Sequence, residues 1–297
     1  MIQRRRSGFT LVELLIVLVL LGVVGGGLMR MVANQQRFYQ GTYDLMDLRS
    51  QLRQAEAVLT TDLRGMSSPG GDLVTMTDSS MDFRFTVGSS IACTTPASST
   101  IIIPPTTTAN GNTLTNWLTA PARFDTAYVF DEGANTTSST DDAWQPYEIV
   151  SVTAGSSCNA AYNAQPGYAV LMKTTISPTI VQGAPIRFVR RAYYSLYQSS
   201  NDNNWYLGYM CSSCGNTTVS PIAGPFNAYD PTAGSGTSGI RITYFDSTGA
   251  TTASTGNVSR ISIVLRGQTR GALNVSGLKR GVYMDSIRMN VALRNRS

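Results

Sequence analysis

The sequence predicts an α+β protein in which one long N-terminal helix carries an antiparallel, β-rich domain. Two observations lead to this prediction. Apolar residues dominate a run that begins at Phe9 and then recur at helical spacing as far as Met66, which indicates one continuous helix. After Gly71 the spacing changes to alternation, as in Met81–Val87, which is typical of a half-buried strand. We therefore expect a helix followed by a sheet-rich body.

The first part of the predicted helix has the length and composition of a membrane span. Its apolar run begins at Phe9 and continues to about Met29, roughly the 20 residues that a helix needs to cross the hydrocarbon core. Arg4, Arg5 and Arg6 precede the run and should hold that end on the cytoplasmic side. An ordinary secretory signal is shorter and ends in a small-residue cleavage site. We therefore expect the span to stay with the protein and the rest of the chain to be exported.

One acidic residue interrupts the apolar run close to its start. Glu13 is the fifth residue counted from Phe9, and an unpaired carboxylate in lipid costs about 2.5 kcal/mol or more. The segment Arg6-Ser7-Gly8-Phe9-Thr10-Leu11-Val12-Glu13 resembles the class III leader junction of type IV pilins and type II secretion pseudopilins. The resemblance implies that a prepilin peptidase cuts after Gly8 and that Phe9 is then methylated. It also implies that Glu13 faces the N-terminal ammonium of a neighbouring subunit.

Weaker motifs near both ends make the resemblance more specific. The turn Asp62-Leu63-Arg64, expected at the end of the helix, is similar to that of PilW-type minor pilins and J-type minor pseudopilins. A strand leading into an Asp246-to-Gly249 turn, and the terminal Leu293-Arg294-Asn295, are similar to these subunits as well. The resemblance implies a non-catalytic minor pilin of a type IV pilus-like filament. A J-type minor pseudopilin of a type II secretion system is the first alternative, and a DNA-uptake or adhesive tip subunit is the second.

The expected organisation has four parts. Residues 1–8 are the leader peptide, and residues 9–29 are the transmembrane part of the helix. Residues 30–66 are its amphipathic part, and residues 67–297 are the β-rich exported domain, so the resemblance implies a pilin-like fold. The amphipathic part has an apolar stripe at helical spacing. Its members are Phe38, Leu45, Leu48, Leu52, Ala55, Leu59, Leu63 and Met66.

Alternating segments predict the strands of the exported domain. Asp72–Thr77 and Met81–Val87 are expected to form a hairpin, and turn-rich loops are expected at Thr94–Asn112, Glu132–Asp142 and Pro221–Gly239. The remaining predicted strands are Ala127–Phe130, Tyr147–Val152, Tyr168–Lys173, Ile186–Tyr197, Trp205–Met210, Ile240–Phe245, Val258–Arg266 and Ser286–Leu293.

The chain has four cysteines, Cys93, Cys158, Cys211 and Cys214. In an exported protein an even number indicates disulfides, and four cysteines allow three pairings. We favour a small loop closed by Cys211–Cys214, with Cys93–Cys158 as the second bridge. A zinc site would need ligands beyond the CxxC pair, and the chain has no histidine. A thioredoxin-like redox site would need a βαβ unit, which the surrounding sequence does not predict.

No catalytic constellation is found in the sequence. Histidine is absent, as are the motifs of nucleophilic, phosphate-binding and dinucleotide-binding enzymes, so no catalytic residue, cofactor or metal site is predicted. The acidic loops at 131–142 and 201–204 are either solvated or bind calcium. The aromatic residues of 193–209, near the arginines of 187–191, either pack a sheet or stack on single-stranded nucleic acid.

The charge of the chain is modest and unevenly distributed. The net charge is +5, and the leader arginines account for more than half of it. Residues 201–297 keep an excess of arginine, which offers a surface for DNA or for an acidic neighbouring subunit.

The resemblance also implies partners and a location. The partners are prepilin peptidase, other pilin or pseudopilin subunits, an inner-membrane assembly platform and, before assembly, membrane lipid. The chain would cross the bacterial inner membrane once with a cytoplasmic N-terminus. It would later stand in a periplasmic or cell-surface filament.

Overall fold

A computed structural model provides the structure of most of the chain. The residues that it describes are 10–106, 114–135, 137–158, 166–215, 218–232, 236–269 and 281–293. The expected leader junction at Gly8 and Phe9 lies outside these residues.

One long helix dominates the N-terminal part. This helix, α1, runs without interruption from Leu11 to Arg64. The chain divides into two compact units, of which the first comprises Met1–Ser50 with Gln268–Asp285 and the second comprises Gln51–Gly267 with Ser286–Ser297. The N-terminal part of α1 therefore belongs to the first unit and its last turns to the second.

Thirteen strands among the described residues form two sheets. The larger sheet contains ten strands. They are β1 (Leu73–Met76), β2 (Ser80–Ile91), β3 (Thr100–Ile103), β4 (Asn116–Trp117), β5 (Thr126–Asp131), β6 (Ala143–Ser157), β7 (Pro166–Met172), β8 (Pro185–Gln198), β9 (Trp205–Cys211) and β10 (Ser220–Phe226). The main order is β1-β2-β8-β5-β6-β7-β3, while β9 joins β8 to β10 and β4 pairs with β2.

The smaller sheet has the order β11-β12-β13. Its strands are β11 (Ile240–Phe245), β12 (Arg260–Gln268) and β13 (Met284–Ala292). Strands β11 and β12 are antiparallel, with Ile240 opposite Leu265 and Phe245 opposite Arg260. The α+β prediction, one long helix packed on antiparallel sheet, is confirmed.

The last turns of α1 pack on the larger sheet within the second unit. The buried apolar residues of this segment are Leu52, Ala55, Leu59, Leu63 and Met66. The Gln54 side-chain amide donates to the carbonyl of Ile222 over 2.9 Å, and the Tyr194 hydroxyl donates to the Asp62 carboxylate over 2.7 Å. The expected stripe does not stay covered along its whole length, because Phe38 is 45 % exposed and Leu45 is only half-buried.

Asp62 should make the stability of the second unit depend on pH. Burial raises the pKa of Asp62, and the hydrogen bond from Tyr194 opposes this only in part. The folded state therefore favours the neutral acid. The contribution of Asp62 to the free energy of unfolding is fully present below the unfolded pKa of about 3.9, and it is lost as the pH rises through the folded pKa. We expect the melting temperature of the wild type to fall relative to that of Asp62→Asn between pH 4 and pH 7.

The matched control for this measurement is Asp202→Asn. Hydrogen bonds from Tyr206 and Asn204 lower the pKa of Asp202, so this carboxylate stays ionised across the same range. Its difference from the wild type should be nearly constant with pH. A constant difference for Asp62→Asn as well would contradict the assignment of a raised pKa to Asp62.

Three strands lie where no strand was predicted. Strand β3 falls within the predicted loop Thr94–Asn112, and the two-residue β4 follows that loop. Strand β10 overlaps the start of the predicted loop Pro221–Gly239. The loop predictions are therefore wrong at these places. Strand β10 contains Pro221 and Pro225, which cannot donate to a ladder, and it pairs only with β9 at the edge of the sheet.

Two disulfides are present. Cys93 is bonded to Cys158, and both residues are buried. Cys211 is bonded to Cys214 across a short 3-10 turn that follows β9. This is the pairing that the sequence favours among the three possible ones.

Candidate assembly site at the N-terminal helix

The start of α1 is capped by reciprocal hydrogen bonds between Thr10 and Glu13. The Thr10 backbone amide and its hydroxyl each donate to Oε2 of Glu13 over 3.0 Å. The Glu13 amide lies 3.3 Å from the Thr10 hydroxyl oxygen, which accepts from it. This is a capping box, and it satisfies amides that the first turn of a helix otherwise leaves without partners.

The capping box was not predicted, although its signal is present in the sequence. A threonine followed three residues later by a glutamate, before an apolar run, is the pattern that forms this structure. The hydrogen bonds with Thr10 fix the orientation of the Glu13 side chain. Its carboxylate faces the N-terminal end of the helix, where it accepts from Thr10.

The helix that follows Glu13 presents its apolar side chains to the surroundings. Every apolar side chain from Leu11 to Leu21 is between 51 and 82 % exposed. Among the described residues, α1 is the one helix whose length and composition would allow it to cross a membrane. Water is a poor solvent for such a surface, and only lipid or neighbouring apolar helices would cover it.

The glycines of the span leave part of this surface without side chains. Helix α1 continues through Gly25, Gly26 and Gly27, and a Cβ added at any of them would meet no atom within 4 Å apart from the adjoining backbone of the helix and the two chain neighbours. Because nothing in the described part of the chain covers these positions, they are open to a neighbouring helix. Their use as a packing surface and their use as a hinge both remain predictions.

The exposed apolar surface continues beyond the span. Phe38, Tyr39, Tyr43 and Met46 are all exposed, and the rings of Phe38 and Tyr39 meet edge to face at 6.2 Å. Within the same unit, Arg49 forms an ion pair with Asp285 at 2.9 Å. An aromatic group of this kind, outside the expected membrane span, is available to a partner.

The aromatic and arginine-rich segment of β8 and β9 is occupied by contacts within the protein. Tyr194 lies opposite Tyr209 with their rings 5.2 Å apart, and Tyr197 lies opposite Tyr206. The arginines each face an aspartate in the pairs Arg187–Asp72, Arg190–Asp125 and Arg191–Asp82, at 2.5, 2.8 and 2.6 Å. This arrangement favours packing of the sheet over stacking on nucleic acid.

The acidic loops use several of their carboxylates to cap turns. Asp131 accepts the Gly133 amide at 3.0 Å, and Asp141 accepts the Asn135 amide at 3.0 Å. In the parts of the chain that the structure describes, no three residues of the types that bind metals come together as a candidate site.

The expected processing motif is matched by comparison with protein families. The family model described as prokaryotic N-terminal methylation motif matches residues 3–29. This match covers the leader junction, Glu13 and the apolar run. Neither a curated protein nor a solved structure matches the chain.

The motif and the helix together define a class of protein. They indicate a type IV pilin-like substrate of prepilin peptidase, with a single N-terminal apolar helix suited to membrane anchoring and to assembly with other pilin subunits.

Proposed function

We propose that this chain is a minor pilin, a non-catalytic subunit of a type IV pilus-like filament. Residues 1–8 are removed by prepilin peptidase after Gly8, and Phe9 is methylated. Residues 9–29 hold the chain in the inner membrane with the N-terminus in the cytoplasm until assembly. Residues 30–66 and the β-rich domain of 67–297 are exported. The observation that carries the proposal is the methylation motif on residues 3–29, placed at the start of an exposed apolar helix.

Glu13 is proposed as the assembly contact of this helix. Its carboxylate would be costly in lipid unless a positive group meets it. Cleavage after Gly8 would create such a group, the ammonium of Phe9, on each neighbouring subunit. The orientation of Glu13 towards the helix start supports this role, since that end is where an incoming ammonium would be met.

Both alternatives would use the same apolar N-terminal helix and the same Glu13 contact. They differ in the molecular machine to which the subunit belongs. A J-type minor pseudopilin would use the same helix in a type II secretion system. A DNA-uptake or adhesive tip subunit would add binding by the exported domain. The size of that domain and the motifs near Asp62 and Leu293 favour a minor subunit over an abundant shaft subunit.

Filament entry and deletion phenotype test the proposal together. The full chain with a C-terminal epitope tag should appear in sheared surface filaments at low abundance, and deletion of its gene should remove surface fibres. Loss of protein secretion with fibres intact would support the pseudopilin instead. Loss of DNA uptake or adhesion with fibres intact would support the tip subunit. A chain that is never found in any filament fraction would contradict all three.

A further inference from the structure

A cleft on the larger sheet is lined by residues to which the proposed function gives no role. It has a volume of about 700 Å³, which is within the usual range of ligand-binding pockets. Its walls are formed by residues of the segment that follows α1, such as Gly65 and Gly70, and by residues of β2, β5, β6 and β8. All of them belong to the second unit. We call it the aromatic cleft, because Tyr128 and Trp144 line it.

Strand register places aromatic side chains next to one another at the cleft. Tyr128 of β5 lies opposite Arg187 of β8, and Phe130 lies opposite Trp144 of β6. Tyr128 and Phe130 share one face of β5, while the residues that alternate with them are buried. The rings of Phe130 and Trp144 meet edge to face at 5.4 Å, and Trp144 is 48 % exposed. An aromatic surface is therefore left open to solvent.

Arg187 is held in place and neutralised within the cleft. Its Nη2 donates to the Asp72 carboxylate over 2.5 Å and to the carbonyl of Gly65 over 3.4 Å, and its Nε donates to the Thr86 hydroxyl over 2.8 Å. Among the described residues that line the cleft, Arg187 is the only charged one, and Asp72 is fully buried beside it. The ion pair therefore leaves the cleft without net charge.

The free polar groups of the cleft are mainly hydrogen-bond donors. The Tyr128 hydroxyl, the Trp144 indole N–H and Nη1 of Arg187 make no hydrogen bond within the part of the chain that the structure describes. The described lining includes no aspartate, glutamate, asparagine or glutamine. Apart from hydroxyl oxygens, its side chains thus offer no acceptor. A ligand that fits must supply acceptors and need few in return.

We propose that the aromatic cleft binds a proline-rich segment of another exported protein in the polyproline II conformation. Such a segment makes no internal hydrogen bonds, so its carbonyl oxygens are free to accept, and each proline lacks a backbone N–H. The partial negative charge of these oxygens complements the donor hydrogens of the cleft. Aromatic-lined grooves bind proline-rich segments because the extended helix is already formed and loses little entropy.

The spacing of the side chains fits this ligand. Tyr128 and Trp144 are diagonal neighbours on adjacent strands, about 7–8 Å apart. A polyproline II helix advances about 9 Å in three residues, so two prolines at that separation can each rest on one ring. Arg187 lies directly opposite Tyr128 on the other side, where it can donate to a carbonyl beyond the first proline.

Other ligands suit the cleft less well. A sugar hydroxyl donates as well as accepts, and the carboxylate and amide side chains that would accept from it are missing from the described lining. An anion would meet an arginine that Asp72 has already neutralised. The proposal therefore commits to a neutral peptide without backbone donors.

The test uses the full-length chain in a non-ionic detergent and fluorescein-labelled decaproline. Fluorescence anisotropy should show saturable binding that changes less than about twofold between about 50 and 500 mM NaCl, because no net charge is involved. Trp144→Ala should raise Kd about tenfold or more, as expected for a central aromatic contact. Tyr128→Phe keeps the ring and should raise Kd about fivefold through the loss of one hydrogen bond.

The matched control is an exposed aromatic residue elsewhere. Tyr43 lies on α1 outside the cleft and is exposed, so Tyr43→Ala should change Kd less than about twofold. An equal loss in Tyr43→Ala and Trp144→Ala would show unspecific adsorption and overturn the proposal. The absence of decaproline binding by the wild type would overturn it too, as would equal binding of a glycine–serine decapeptide.

Competing ligands distinguish the other possible occupants. Maltohexaose and hexaglutamate should not displace decaproline. Displacement by the first would assign the cleft to a saccharide and by the second to an anion, and either result would contradict the proposal. If Trp144→Ala does not fold, tryptophan fluorescence of the wild type decides. Decaproline should shift the emission to shorter wavelength and protect it from acrylamide, and an unchanged spectrum and quenching would contradict burial of Trp144.

This binding goes beyond the proposed function and is independent of it. A purified chain can bind decaproline whether or not it enters a filament. Failure of the binding test therefore leaves the minor-pilin proposal intact, and failure of filament entry leaves the aromatic cleft testable.

Discussion

Replacing Glu13 with alanine is expected to abolish entry of the chain into a filament while the β-rich unit stays folded. The carboxylate is the only acidic group in the apolar run, and its loss removes the partner proposed for a neighbour's ammonium. It lies far along the chain from Leu48, the first buried apolar core residue of the described part of the chain, so folding should not change. The measurement is an immunoblot of sheared filaments and of membranes, with the wild type as reference.

Two further variants separate the charge of Glu13 from its role as a helix cap. Glu13→Gln keeps an oxygen that can accept from Thr10, because glutamine also forms capping boxes. Thr10→Ala removes the cap and keeps the charge, at a cost of about 1 kcal/mol of helix stability. If assembly depends on charge pairing, the glutamine variant fails as the alanine variant does, and Thr10→Ala still assembles. Normal assembly of Glu13→Gln would contradict the ion-pair role and leave capping as the function of this residue.

Removal of the Cys93–Cys158 disulfide should cause the largest loss of stability in the β-rich unit. The bridge closes a loop with a sequence separation of 65, and both sulfurs lie in buried residues. In the chain-entropy account, cross-linking a loop of that length contributes about 4 kcal/mol. For a unit of this size, that free energy corresponds to a fall of roughly 10 °C in melting temperature. The measurement is near-UV circular dichroism on Cys93→Ala/Cys158→Ala.

Cys211→Ala/Cys214→Ala provides the control within the same protein. This second disulfide has a sequence separation of only 3. The same relation assigns it about 2 kcal/mol or less. The two double variants should therefore differ clearly in melting temperature. Equal shifts would show that loop closure does not explain the contribution of Cys93–Cys158.

The helix was predictable because its signals are local and strong. The apolar run is helical in the structure from Leu11 onwards, and Leu52, Ala55 and Leu59, which have helical spacing, lie on the buried face of α1. The exposure of Phe38, a member of the predicted apolar stripe, was harder to predict. Spacing shows which residues share a helix face, but it does not show how far along the helix the covering surface extends.

The sheet was predicted less completely, since pairing between distant segments decides it. Strand β3 has an apolar run at Ile101–Ile103, but it lies within a Ser, Thr and Pro-rich segment that indicates a loop. Strand β10 contains Pro221 and Pro225 and exists because β9 offers it an edge. The partner strands β7 and β9 were predicted, but local sequence does not show which segments pair with them.

The arginines likewise show what can be predicted from local sequence and what depends on contacts between distant segments. The sequence shows positive charge near 187–191 and again in the C-terminal third, with nothing to separate the two groups. Only the fold shows that Arg190 is paired with Asp125 inside the larger sheet, whereas Arg241 and Arg266 share a face of the smaller one.

The N-terminus of the mature protein tests the central claim most directly. Mass spectrometry of the chain isolated from a strain with an intact prepilin peptidase should find Phe9 as the first residue, carrying one additional methyl group. In a strain lacking the peptidase, or in a Gly8→Val variant, the same measurement should find residues 1–8 still attached. A wild-type chain that keeps its leader, or is cut at another bond, would contradict the proposed processing and with it the minor-pilin account.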